Sequence, residues 1–196
     1  MILISVKEIL AFEKKIASSL VEDNDLAMAY VNFANELAKE KKMDPTGPAF
    51  IALHMFQSKN DSSGIVQACM VITNHLFNDG QYEHALNYLK LAEEQVAGDE
   101  KSPLLAYVLN KIGFVYFQLK KFDDAIVAFG NCVDMLENLG DSGSLNELPK
   151  IYCTLGFIYQ ELKQSERANE MFQKSVSVAR MAGNEAEARK YESFIL

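Results

Sequence analysis

Basic residues are scarce in this sequence: Lys and Arg number 19 against 27 Asp and Glu, for a formal net charge of −8. That balance excludes a sequence-independent grip on phosphate backbones or anionic lipid, since both need clustered cations. Cysteine is nearly absent, and Cys69, Cys132 and Cys153 show no Cys-x-x-Cys spacing. Neither a disulfide framework nor a zinc site is expected from them, and they read as reduced packing residues. No stretch is long and uncharged enough to span a bilayer. The apolar run Met1-Ile2-Leu3-Ile4 is too short for a signal sequence and is followed by Lys7 and Glu8. The expectation is a cytoplasmic chain with no membrane insertion and no nucleic-acid partner.

Catalytic constellations are also missing. His54, His75 and His84 have no Cys, Asp or Glu at ligating spacing, apart from Glu83 beside His84, whose side chains diverge on a helix. Asp123-Asp124 opens a helix, where negative charge is favoured by the dipole. Gly113 and Gly156 stand alone, and the pair Gly140 and Gly143 follows no strand and precedes no Gly-Lys-Ser/Thr, so there is no phosphate loop. Cys153 has no histidine near it in sequence and reads as a small packing residue rather than a nucleophile. No enzyme activity, cofactor or metal is expected.

What the sequence does contain is apolar residues, 49% of 196, at helical spacing. Helix starts recur: the capping-box form Ser5-Val6-Lys7-Glu8, the cap-plus-proline Ser102-Pro103, and Asn184-Glu185-Ala186-Glu187 after Gly183. Breakers fall between them at Asp44-Pro45-Thr46-Gly47-Pro48, Asn60-Asp61-Ser62-Ser63-Gly64, Asn78-Asp79-Gly80, Ala97-Gly98-Asp99 and Gly140-Asp141-Ser142-Gly143. Alternation with a period of two is sustained nowhere. The fold class is all-α.

The chain also matches itself. Gly113 falls on Gly156, Tyr116 on Tyr159, Ala125 on Ala168 and Phe129 on Phe172, all 43 residues apart. Tyr82, Ala85, Leu86 and Leu89 align with Phe122, Ala125, Ile126 and Phe129 at 40 residues, with Thr73 in place of the glycine and Leu76 in place of the tyrosine. A weaker copy places Ile16, Ala17, Leu20, Ala29 and Phe33 at the same positions, which leaves the Pro/Gly segment around Pro45 to Gly64 as an insertion with a short helix over Ala49 to Gln57.

This pattern, Leu/Ile-Gly-x-x-Tyr, a turn, then Ala-x-x-x-Phe, resembles the tetratricopeptide repeat (TPR), a helix-turn-helix unit that stacks into a superhelix. The resemblance implies an α-solenoid of stacked antiparallel helix pairs. Expected boundaries are a degenerate first repeat at 5–43, an irregular insertion at 44–61, repeats at 62–98, 102–140 and 144–183, and a capping helix at 184–196. Repeats of 40 and 43 residues exceed the usual 34 or so, and are similar to those of kinesin light chains and bacterial peptide-pheromone receptors. The first signature position carries no tryptophan. Pro103 and Pro149 are expected to open helices.

In this family the first helix of each repeat lines the groove. Helical projection then gives Gln67, Asn74, Phe77 and Asn78, with Met70 beside them; Tyr107, Asn110, Phe114 and Phe117, with Gln118; and Lys150, Phe157 and Gln160, with Cys153 and Glu161. Rings supply apolar area with few rotamers to freeze, and amides bond a backbone whatever its side chains. The resemblance implies a scaffold or adaptor for a protein or peptide; the second reading is a regulator that senses a signalling peptide. Only Lys150 is basic among these positions, so tight binding of the acidic tails of heat-shock chaperones is not expected. Tyr191 to Leu196 is expected to cap the array, the alternative being that Phe194-Ile195-Leu196 docks in a neighbour's groove and makes a homo-oligomer.

Overall fold

A computed structural model describes residues 23–39, 44–98, 102–140 and 142–195. Among them the chain is all-helical: α1 (Asp23–Lys39), α2 (Thr46–Ser58), α3 (Ser62–Asn78), α4 (Tyr82–Val96), α5 (Pro103–Gln118), α6 (Phe122–Leu139), α7 (Ser142–Glu161), α8 (Ser165–Met181) and α9 (Glu185–Glu192). Contacts divide it into two units, Met1–Gly98 and Asp99–Leu196. The expected capping box at Ser5 to Glu8, the weak-copy positions Ile16 to Leu20 and the segment Glu40 to Lys42 lie outside the described residues.

In the first unit α1 buries Ala27, Val31, Ala34 and Leu37, one stripe at helical spacing, against α2. Ala29 and Phe33, expected at the core positions of that copy, are only partly buried. Within the stretch 44–61, expected as an insertion with a short helix over Ala49 to Gln57, α2 runs from Thr46 to Ser58 and packs on both α1 and α3. The helix begins three residues earlier than expected, because its two prolines fall where a helix start tolerates them. Pro45 precedes the helix and Pro48 lies in its first turn, where a missing N–H leaves no bond unmade; Ala49 N–H closes the first turn on the Pro45 carbonyl at 3.3 Å. Ala52 and Phe56, with 0% and 1% exposure, occupy the same buried Ala-x-x-x-large pattern as Ala85 and Leu89 on α4. Gly64, capped by the Asp61 side chain at 3.0 Å, lets the Phe56 ring lie on the α3 backbone.

The second unit repeats itself in atomic detail. The Cys132 thiol donates to the Ala106 carbonyl at 3.2 Å, and 43 residues on, Ser175 Oγ donates to the Pro149 carbonyl at 2.6 Å. Phe114 meets Phe129 edge-on at 5.2 Å, and Phe157 meets Phe172 the same way at 5.3 Å. The 40-residue spacing recurs too: Phe77 packs on Tyr82 at 5.2 Å in the first unit as Phe117 packs on Phe122 at 6.3 Å in the second. Each pair closes through a turn whose tip is left-handed, at Gly80, Lys120 and Lys163.

Gly113 and Gly156 are required by close approach. A Cβ on Gly113 would stand 2.7 Å from the Phe129 ring, and one on Gly156 closer still to Phe172. In the first unit Thr73 takes the glycine's place and the facing Phe becomes Leu89, both buried. One volume grows as the other shrinks, which keeps the helix pair filled.

Among the described residues the expected helix starts hold with one exception. Asn184 accepts from Glu187 N–H at 3.3 Å, as its cap position requires. Pro103 stands at the first position of α5, although the Ser102 side chain makes no capping bond. Pro149, expected to open a helix, lies inside α7, which already begins at Ser142, directly after the turn at left-handed Gly140. Phe194 and Ile195 pack on the cluster of Cys153, Phe172 and Tyr191 in their own unit. Leu196 is outside the described residues.

Candidate functional site

The expected site residues fall on the first helices of the pairs, α3 in the first unit and α5 and α7 in the second. On α3, Asn74 and Asn78 are exposed, Gln67 is partly buried with its amide 3.5 Å from Ser63 Oγ, and Phe77 is half-buried against Tyr82. Met70 is buried.

On α5, Tyr107 is 42% exposed, with Lys111 Nζ 5.3 Å from its ring centroid. Phe114 is half-buried, edge-on to Phe129, and Lys150 Nζ reaches from α7 to 6.0 Å over its ring. Tyr107, Phe114 and Lys150 therefore form one surface, with a cation–π contact joining the helices. Phe117 is half-buried and turned toward Phe122, and Gln118 is exposed. On α7, Phe157 is half-buried between Phe172 and Phe194, the latter at 5.0 Å, and Gln160 is partly buried. Phe114 and Phe157 thus both pack on neighbouring rings and stay partly exposed. Lys111 was missed by the sequence reading, although its place one turn beyond Tyr107 was the available signal.

Asn110 lies between Tyr107 and Phe114. It is only 8% exposed, and its Oδ1 is buried with no hydrogen-bond partner among the described residues. A buried amide oxygen without a donor costs about 1–3 kcal/mol. Turning about χ2 moves that oxygen without disturbing the helix.

The thiols are unsuited to nucleophilic work. Burial pushes Cys69 and Cys132 up to about 12, and Cys153 up to about 11 against the opposing pull of Lys190. Since the thiolate is the reactive form, all three are expected to alkylate slowly in the native chain at pH 8 and quickly once it unfolds. Timed iodoacetamide labelling read by mass spectrometry checks this; fast native labelling of Cys153 would mean that it opens to solvent.

His75, read without acidic partners, lies 3.4 Å from Asp44 and 3.5 Å from Asp79, the latter one helical turn along α3. Asp44 is held below the usual carboxylate range: burial opposes this, and the two Thr46 hydrogen bonds together with His75 outweigh it. The cluster ties the chain before α2 to the end of α3. Among the described residues no group of three or more His, Cys, Asp or Glu is arranged to hold a metal ion, and no helix is long and apolar enough to cross a membrane.

Comparisons with known proteins agree on the architecture. The family model of the tetratricopeptide repeat matches residues 104–181. Aspartyl phosphate phosphatase F from Bacillus subtilis is similar in structure at a TM-score of 0.78 and 18% identity, over 89% of this chain and 45% of that one. A Rap protein complexed with competence and sporulation factor matches at 0.74 and 18%, over 91% of this chain and 49% of that one. A putative kinesin light chain with nearly identical TPR-like repeats, from Podosopora anserina, matches at 0.68 and 11%, over 88% and 89%. The chain spans about half the length of the first two. No curated protein matches the sequence.

Proposed function

We propose, from the premise that this chain is a tetratricopeptide-repeat protein, that it is a non-catalytic interaction module holding a peptide or partner protein against the first helices of its pairs. In the second unit the guest backbone meets Asn110 while Tyr107, Phe114, Phe117 and Phe157 take its side chains, with Lys150 and Gln160 beside them; in the first unit Asn74 has the corresponding role, with Gln67, Phe77 and Asn78. The observation that carries this reading is the Asn110 oxygen, buried without a donor between two rings that are part exposed. Such a group is stabilised when a guest N–H arrives.

The repeat boundaries proposed with it are 62–98, 102–140 and 144–183, preceded by a first repeat at 23–58 that takes in α2. The acidic charge and the buried thiols support a cytosolic setting without a nucleic-acid partner. Phe194 packed within its own unit supports a cap rather than a contact between copies.

The second reading, a regulator that senses a signalling peptide, uses the same face. It draws support from the Rap protein solved with competence and sporulation factor, whose fold this chain resembles over about half that protein's length.

The test is selection of a random peptide library on the full chain, followed by fluorescence polarisation with the enriched peptides. Asn110→Leu is expected to weaken binding at least tenfold, about 1.4 kcal/mol, while leaving the melting temperature unchanged or higher, because it deletes an unsatisfied polar group. Peptides that bind Asn110→Leu and Tyr107→Ala as tightly as the parent would overturn the assignment.

A further inference from the structure

Away from the α5 and α7 face, the second unit holds an open cleft of about 410 Å³ between α6 and α8, with α7 beneath. Gly130, Asp134 and Glu137 line the α6 wall, Lys174 the α8 wall, and Tyr152 and Leu155 the base. Gly130 has no role within the fold. It is neither at positive φ nor close-packed, because a Cβ there would meet nothing within 4 Å. A glycine inside a helix is costly, and one that faces open space admits a ligand to the backbone. The next copy, 43 residues on, has Gln173 at this position, so the opening is particular to α6.

The charges around the opening are unbalanced. Asp134 is exposed, with no hydrogen bond or ion pair among the described residues. Glu137, one turn on, accepts the Tyr152 hydroxyl at 2.6 Å and makes no ion pair among the described residues. Lys174 is held 3.0 Å from Glu170 and lies 5.8 Å over the Tyr152 ring, so it closes one side of the cleft and leaves the carboxylates unpaired.

We propose that this cleft receives an arginine side chain from a partner polypeptide. The aliphatic stem passes Gly130 and lies on Leu155, and the planar guanidinium spans Asp134 and Glu137. Its fork of donors suits two carboxylates one turn apart better than the single point charge of a lysine. This site is separate from the Asn110 face, so either can fail without the other.

The experiment is NMR titration of the isotope-labelled full chain with the blocked peptide Gly-Gly-Arg-Gly-Gly and with its glutamine counterpart. The arginine peptide is expected to move the amides of Gly130, Asp134, Glu137 and Tyr152 saturably, and the glutamine peptide to leave them in place. Gly130→Leu, which fills the opening at a partly buried helical position where a Cβ meets nothing, and Glu137→Gln, which keeps an acceptor for Tyr152, are each expected to weaken the arginine peptide at least fivefold. No shift at millimolar peptide, equal shifts with glutamine, shifts spread over acidic residues outside the cleft, or undiminished affinity in Gly130→Leu would each overturn the proposal.

Discussion

Phe172→Ala is expected to lower the stability of the chain by about 3–5 kcal/mol, the cost of deleting a buried ring whose surroundings collapse only in part. Three features put this site at the upper end. Phe172 has no exposed surface, and it packs among Ala168, Val176, Ala179 and Tyr191 in the same cluster. Its ring also supports two others, Phe157 at 5.3 Å and Phe194 at 5.9 Å. Finally, the space it leaves borders Gly156, which has no side chain to move in. Urea unfolding followed by helical circular dichroism measures the loss. A change below about 0.5 kcal/mol, the scale of a surface substitution, would mean that the ring is not the centre of this unit.

The second large effect concerns a pair rather than a residue. Gly113→Thr alone is expected to destabilise by about 2–3 kcal/mol, because its side chain must displace the fully buried Phe129 ring and overpacking of a filled core costs that much. Combined with Phe129→Leu, which alone leaves a void, more than half of the loss should return. The chain already contains this combination as Thr73 and Leu89, both buried at the matching positions of α3 and α4. A double-mutant cycle by chemical denaturation gives the coupling directly. Additive single effects would show that the two positions do not share one space.

The legibility of this fold in its sequence follows from which signals are local. Gly113, Gly156, Ala125, Ala168, Phe129 and Phe172 were readable because one volume constraint applies to two copies at one spacing, so packing writes itself into the sequence as repetition. In segment 44–61 the helix was legible but its start was not, because proline is a breaker in a helix interior and a favourable residue in its first turn. Which role Pro45 and Pro48 play depends on whether the residues after them have something to pack against, and Ala52 and Phe56 do. Pro149 shows the converse, since its carbonyl is engaged from α8 by Ser175, a contact 26 residues away.

For the candidate site, helical projection assigns residues to faces of single helices and carries no information on the exposure of each side chain. Asn74 and Asn110 were each projected onto the inner face of their own helix, yet Asn74 is exposed and Asn110 is not. The Lys150 contact with Phe114, the Phe194 ring on Phe157 and the cleft beside Gly130 join residues from different helices, and no periodicity within one helix encodes them.

By itself, then, the sequence determined that the chain is helical, that its helices come in pairs at spacings of 40 and 43 residues, and which small and large residues face each other inside a pair. Those properties rest on steric fit between neighbours in the chain, and steric fit is periodic. Tertiary structure alone decided that the helix 46–58 packs on both its neighbours, that the Asn110 oxygen is buried without a donor among the described residues, and that two carboxylates with no ion pair among those residues border an open glycine. Burial and charge balance are sums over every helix that packs nearby, and that sum exists only once the chain has folded.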